Sequence, residues 1–283
     1  MVADSPNYGQ IWDEEAGEYV DFCKSPDMSF DFDGIAHENN FTGDTSSFDS
    51  GEKISLIITD IGKLKGDKVC LFGVDMDGKG YRPRVRNGIR EQHLQRYGIR
   101  RFSEVEFEFT QKIGKPPFIE DHFAKEFTQA PPTKIRSLYM PEIKRVLESN
   151  LYDSVEEIFG FELMNNRCIP EGNGVRSMGT LQPNQINSAY LKYEQGTFKG
   201  RIDFFDNKDI QYNLPITDYL FDKYCQDMYK YRGSVQNLRK DILNKLENHE
   251  VFLRLGLGQA YSPYDESPKY HYILITSIYL LNE

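Results

Sequence analysis

The chain is poor in the residues that build metal centres, disulfide frameworks and membrane spans. It has four cysteines in 283 residues. Cys23, Cys70, Cys168 and Cys225 form no C-x-x-C pair, which excludes a zinc ribbon and a thioredoxin-like dithiol. Such scattered thiols are expected of a reducing cytoplasm. The histidines His37, His93, His122, His249 and His271 show neither H-x-H nor H-E-x-x-H spacing, so no metal is assigned. No apolar run approaches the roughly 18–20 residues that cross a bilayer. The start, Met1-Val2-Ala3-Asp4, lacks the basic and apolar regions of a signal peptide. A cytoplasmic location off the membrane is the expectation.

Catalytic signatures are equally scarce. There is no G-x-S-x-G and no Cys beside a His. Gly73–Gly80 nearly spells a phosphate loop, but Gly80 stands where Ser or Thr must reach a metal, and the sequence that follows reads as strand. Asp75 and Asp77 suggest a calcium loop, yet position twelve is Arg86 and not Glu. Glu120-Asp121-His122 could supply acid–base chemistry, but neighbours on a strand point in different directions, and a polar edge is the simpler reading. No catalytic residue and no cofactor is assigned.

What is abundant is aromatic residues and unevenly placed charge. Phenylalanine and tyrosine number 19 and 18, favouring a β-dominated body. Residues 1–50 carry twelve Asp/Glu against Lys24 alone, a net of −11, while the chain totals −10. The rest is therefore near neutral. Within it, residues 61–102 hold eleven Lys/Arg against four Asp/Glu. The acidic segment also carries Tyr8, Trp12, Tyr19, Phe22, Phe30, Phe32, Phe41 and Phe48, more aromatics than an entropic tail. It reads either as a docking segment or as a solvated tail. Opposite charges this close in sequence suggest that the two stretches meet, or compete for one partner.

Strand signals open the body at Ile54–Thr59 and Lys68–Asp75, with Gly62 and Gly66 expected to form a flexible connection. Asp77-Gly78 turns the chain into Tyr81–Arg86, where Pro83 predicts an edge or a bulge. Ser103–Thr110 alternates strictly, as a strand with one wet face does. Pro141 fits a helix start, and Ser154-Val155-Glu156-Glu157 with Gly160 fits a capped short helix. Residues 196–205 and 210–214 flank a turn at 206–209. Helices are predicted over 218–231 and 234–248, and strands over 250–256 and 270–281.

Several pieces, in order, resemble a known family. They are Leu56–Asp60, Val69–Asp75 with Arg82-Pro83, Pro116-Pro117 with Glu120-Asp121, Arg176–Thr180, Leu214–Asp218, and Phe252–Leu257 with Ile278-Tyr279. The chain resembles the bacterial dual OB-containing domain, two fused OB-like barrels. Two departures stand out. The family's last strand usually carries a Trp and ends in a proline-aromatic run, where this chain has Tyr270–Ile275 and no proline after it. Residues 1–50 also lie outside the family core. The resemblance implies nucleic-acid or nucleotide binding, often in prokaryotic conflict systems.

The expected fold class is mainly β with helical insertions, two OB-like barrels in tandem. The expected division is an acidic segment over 1–50, a first barrel over 51–130, a partly helical connector over 131–152, and a second barrel over 153–283. Candidate ligand-binding residues are Tyr81, Arg82, Arg84, Arg86, Arg90, Arg100 and Arg101, followed by Arg176, Arg201 and Arg254 in the second half, with Lys199 beside them. Alternation would put Arg82, Arg84 and Arg86 on one strand face. Arginines track phosphates and interleaved rings stack on bases. The same arginines could instead pair with the acidic segment or with Glu104, Glu106 and Glu108. The functional expectation is a non-enzymatic module for single-stranded nucleic acid or a nucleotide-derived ligand, regulated by its acidic segment. The alternatives are a protein-interaction factor working through residues 1–50, and a nuclease or nucleotide hydrolase.

Overall fold

The structure, a computed structural model, describes residues 10–13, 18–21, 47–194, 196–262 and 268–281. Of the acidic segment, β1 (Gln10–Asp13) and β2 (Glu18–Asp21) are described, an antiparallel pair with Trp12 opposite Tyr19. Its remainder up to residue 46 lies outside the described residues. Among the described residues no helix is long and apolar enough to cross a membrane.

The first barrel contains β3 (Ser47–Lys63), β4 (Lys68–Val74), β5 (Gly80–Arg84), the short β6 (Ile89–Arg90), α1 (Glu91–Tyr97), β7 (Ser103–Lys112) and β8 (Asp121–Ala124). Its strands run β3-β4-β5-β8-β7 and return to β3, closing a five-stranded barrel in which β5–β8 is the parallel pair. With a helix between the third and fourth strands, this is the order 1-2-3-5-4-1 of an OB fold. The strand β3 is long because it serves two neighbours. Its first part pairs with β7 from Glu52 to Ile57, and its second with β4 from Ile57 to Lys63. The alternation in β7 puts Val105, Phe107 and Phe109 inside, against Leu56, Ile58, Ile61, Leu71 and Tyr81.

A linking stretch follows, with β9 (Thr133–Ser137), α2 (Met140–Glu148), β10 (Leu151–Tyr152), α3 (Val155–Phe159) and β11 (Cys168–Pro170). β9 pairs with β7, so it extends the first sheet. α3 has the predicted ends. The Ser154 hydroxyl accepts from the Glu157 N–H at 3.2 Å, and Gly160 takes the left-handed conformation at φ 62°.

The second barrel contains β12 (Met178–Leu181), β13 (Gln185–Glu194), β14 (Thr197–Phe205), β15 (Gln211–Ile216), α4 (Tyr219–Arg232), α5 (Val235–Glu247), β16 (Glu250–Leu257) and β17 (Tyr270–Leu281). The order is β12-β16-β17-β15-β14-β13, with β15–β17 parallel. β12 and β13 act as two halves of one first strand, interrupted at Gln182-Pro183-Asn184. One half pairs with the fourth strand and the other with the second. The topology of the first barrel is thus repeated. The helices sit at the same point of the order, with the Asp218 carboxylate capping α4 and the Ser234 hydroxyl capping α5.

Two local expectations need correction. Gly62 lies within β3 and not in a flexible connection; the turn is at Gly66, with φ 71°. The strand expected over 81–86 ends at Arg84, and Arg86 lies in the following turn. Pro83 sits at a local edge, as expected: β5 pairs with β4 only through Gly80 and Tyr81, so Pro83 has one partner, His122 of β8, and its missing N–H interrupts no second ladder.

Candidate nucleic-acid interface

The arginine-rich strand does not open onto solvent. Phe72 and Val74 of β4 point outward from the first barrel and are buried with Met178 of β12 and Leu138. Arg82 of β5 points the same way and is 4% exposed. Its Nη1 donates to Asp121 at 2.9 Å, and its Nη2 to the Ser177 hydroxyl at 2.6 Å. Ser177 belongs to the second half, where its N–H and hydroxyl donate to the Glu120 carboxylate at 3.1 and 2.8 Å. In an OB fold the second and third strands form the usual oligonucleotide face. Here much of that face is the joint between the barrels.

The second barrel supplies its outward β16–β17 surface to the same joint. Arg254 is 2% exposed. Its Nε donates to Asp60 of β3 at 3.0 Å and its Nη1 to Thr180 at 2.9 Å, with the guanidinium 5.0 Å from the Phe72 ring. Asp60 also accepts from Thr276 at 2.6 Å and from Thr59 at 2.8 Å. The Tyr279 hydroxyl donates to the Thr59 carbonyl. Nearby, Arg101 Nη1 donates to Asp218 at 2.9 Å and to the Ile278 carbonyl at 3.2 Å. Burial pushes the Asp218 carboxyl up, against the opposing pull of Arg101 and of three backbone N–H groups.

The structure therefore divides the candidate residues. Arg82, Arg101 and Arg254 hold the barrels together. Tyr81 is a core residue, 4.7 Å from the His122 ring and 5.7 Å from Phe109. Arg90 pairs with Asp67 at 2.9 Å, and Arg176 donates to the Ile158 carbonyl at 3.4 Å and lies 4.8 Å over Tyr152. Arg86 and Arg100 are exposed. Arg84 is half-buried, opposite Phe123 of β8, whose ring is 39% exposed. Glu104, Glu106 and Glu108 take Arg136, Lys53 and Lys125 as partners. The Glu120-Asp121-His122 run also splits up. Glu120 holds Ser177, Asp121 holds Arg82, and His122 turns into the core with Nδ1 2.7 Å from the Glu120 carbonyl. Among the described residues no cluster of three metal-ligating side chains occurs.

The equivalent face of the second barrel is not used in this joint. Across β13, β14 and β15 the register sets Tyr190 beside Arg201 and Pro215, Lys192 beside Lys199, and Ser188 beside Asp203 and Asn213. The intervening Phe198, Ile202 and Phe204 fill the core, so this row points outward. Tyr190 is 39% exposed, with the Arg239 guanidinium of α5 5.3 Å over its ring and Arg239 Nε held by the Ala189 carbonyl at 2.7 Å. Arg201 donates to the side chain and carbonyl of Asn213, both at 2.5 Å. Lys192 and Lys199 share Glu194, and Asp203 accepts from Gln211 at 2.8 Å. Arg201 and Lys199 were legible in the sequence. Tyr190 and Lys192 were not, because the polar run of β13 gives no strong strand signal, and Arg239 of α5 meets Tyr190 only across about 50 residues of chain.

No family model matches the chain, and no curated protein does. Among solved structures, one similar chain is in a replication protein A heterotrimer bound to ssDNA, at 6% identity and a TM-score of 0.37, over 82% of this chain and 49% of that one. Another is p202 HIN1 in complex with 12-mer dsDNA, at 8% identity and a TM-score of 0.32, over 87% and 98%. The chain thus spans about half the length of the first. Likeness this loose carries no functional weight. The OB assignment stands on the strand order and on the parallel third–fifth pair found in both barrels.

Proposed function

We propose that the protein is a non-enzymatic module that binds single-stranded nucleic acid across β13–β15 of the second barrel, with the first barrel fixed against it as a support. The observation that carries this reading is the outward row itself. Arg201 and Lys199 offer cations on the second strand, part of the face an OB fold uses for oligonucleotides, and Tyr190 and Lys192 of the adjoining first strand extend it with a ring and a further cation. The ion pairs of Lys192 and Lys199 with Glu194 are exposed, and such a pair is worth about 0–1 kcal/mol, little against a phosphate contact. Arg84, Phe123 and Arg86 of the first barrel form a second, smaller patch of the same chemistry. A nucleotide-derived ligand would draw on the same side chains.

The resemblance to the dual OB-containing family supports the two-barrel division near residues 131–152 and the same class of ligand. In this reading the acidic segment competes with nucleic acid, its carboxylates standing for phosphates and its rings for bases. Filter binding of a radiolabelled single-stranded oligonucleotide at 50 and 200 mM salt tests the assignment. Binding should weaken with salt and be lost in Lys199→Glu/Arg201→Glu. Unchanged affinity in that folded variant removes the face from the site.

A further inference from the structure

We propose that the cleft below the second barrel binds a small organic anion with an apolar body, of the class of a medium-chain or aryl carboxylate. The cleft has a volume of about 230 Å³ and lies between α4, α5 and the end of β17. Its walls are Leu220, Phe221, Ile242, Leu246, Ile278 and Leu280, with Tyr224 at one side. An apolar cavity of about 150 Å³ accepts benzene. This one therefore has room for a ring or short acyl chain with a small head group.

The charge of the head group follows from the charged residues along the cleft. There are three: Asp218, Arg101 and Lys245. Asp218 is already satisfied by Arg101 Nη1 at 2.9 Å and by the N–H groups of Ile278, Leu220 and Phe221 at 3.1, 2.8 and 3.4 Å. Arg101 spends only Nη1, on Asp218 and the Ile278 carbonyl. Among the described residues no acceptor takes its Nε or Nη2. Lys245 Nζ lies 6.0 Å from the Tyr224 ring and has no carboxylate partner among the described residues. Arg101 and Asp218 neutralise each other, so Lys245 leaves the apolar cleft with a net charge of +1. An anion gains charge-assisted hydrogen bonds there; an alcohol gains weaker ones, and an ammonium group meets a like charge.

This site shares no residue with the β13–β15 face, so the two assignments fail independently. Isothermal titration of the full chain with octanoate, octan-1-ol and octylammonium tests it. Octanoate should bind at least about tenfold more tightly than octanol, and octylammonium should not bind. Lys245→Met should remove most of the octanoate margin, and Leu220→Trp, which fills the cleft, should abolish binding of both. Intermolecular NOEs from octanoate methylenes to the Phe221 and Tyr224 rings locate the ligand in the unmodified protein. Equal affinity for octanoate and octanol, or NOEs only to other residues, would overturn the proposal. Oligonucleotide binding by the same samples reports the other site separately.

Discussion

Replacing Asp60 with alanine should loosen the barrel joint more than any surface change. Asp60 and Arg254 are each 2% exposed and 3.0 Å apart, on β3 and β16. The substitution strips Arg254 Nε of its acceptor and leaves Thr276 and Thr59 only their longer bonds to the Arg254 and Phe72 carbonyls. Arg254 would keep only Thr180 as a side-chain hydrogen-bond partner, and its Nη2 already has none among the described residues. A buried charge left uncompensated costs about 3–5 kcal/mol. At about 2–4 °C per kcal/mol for a domain of this size, the melting temperature should fall by roughly 6–20 °C. The double variant Asp60→Leu/Arg254→Met removes both charges, and an apolar replacement of a buried pair is often neutral or better. It should recover most of the loss in calorimetry. If Arg254 instead served a ligand, Arg254→Met would leave the melt unchanged and lower oligonucleotide affinity. That pattern would refute the joint.

Three other outcomes follow from the same geometry. Lys199→Gln/Arg201→Gln should reduce the salt dependence of single-strand binding by about 1.4 in the log–log slope, at roughly 0.7 per lost phosphate contact; an unchanged slope would show that these cations touch no phosphate. Deletion of residues 1–46, which spares β3, should raise affinity for single strands, with a gain that shrinks at high salt; equal affinity with and without the segment would make it a passive appendage. Burial holds His122 and His271 below the ordinary histidine range, so the folded state favours the neutral rings. Their stabilising contribution is then complete above about pH 6.5 and falls as the pH drops below it, because the unfolded chain takes up protons first. Urea unfolding at pH 7.5 and 5.5 should show the loss, and His271→Asn should diminish it. A flat profile would contradict the assignment.

The architecture was largely legible because its signals are local. Alternation marks β7, Asp-Gly marks the β4–β5 turn, and Ser154, Asp218 and Ser234 cap the helices that follow them. The division of β12 and β13 was not legible, since Pro183 interrupts a strand whose two halves serve different neighbours. The site was legible only as chemistry. Arginines clustered on β5 look the same in sequence whether they face solvent or a second barrel. What separates Arg82 from Arg201 is the outward packing of Phe72 and Val74 against Met178, a contact across about 105 residues that no local pattern encodes. The pairing of Arg254 with Asp60 is equally remote in sequence.

The central claim is that single strands bind β13–β15, on the side the barrels do not share. Hydrogen–deuterium exchange of the full chain, with and without a saturating single-stranded oligonucleotide, tests it most directly. The account predicts added protection concentrated in residues 185–216, with the Arg82–Asp121 and Arg254–Asp60 strands unchanged. Protection confined to residues 80–102, or none in any segment at low salt, would contradict it.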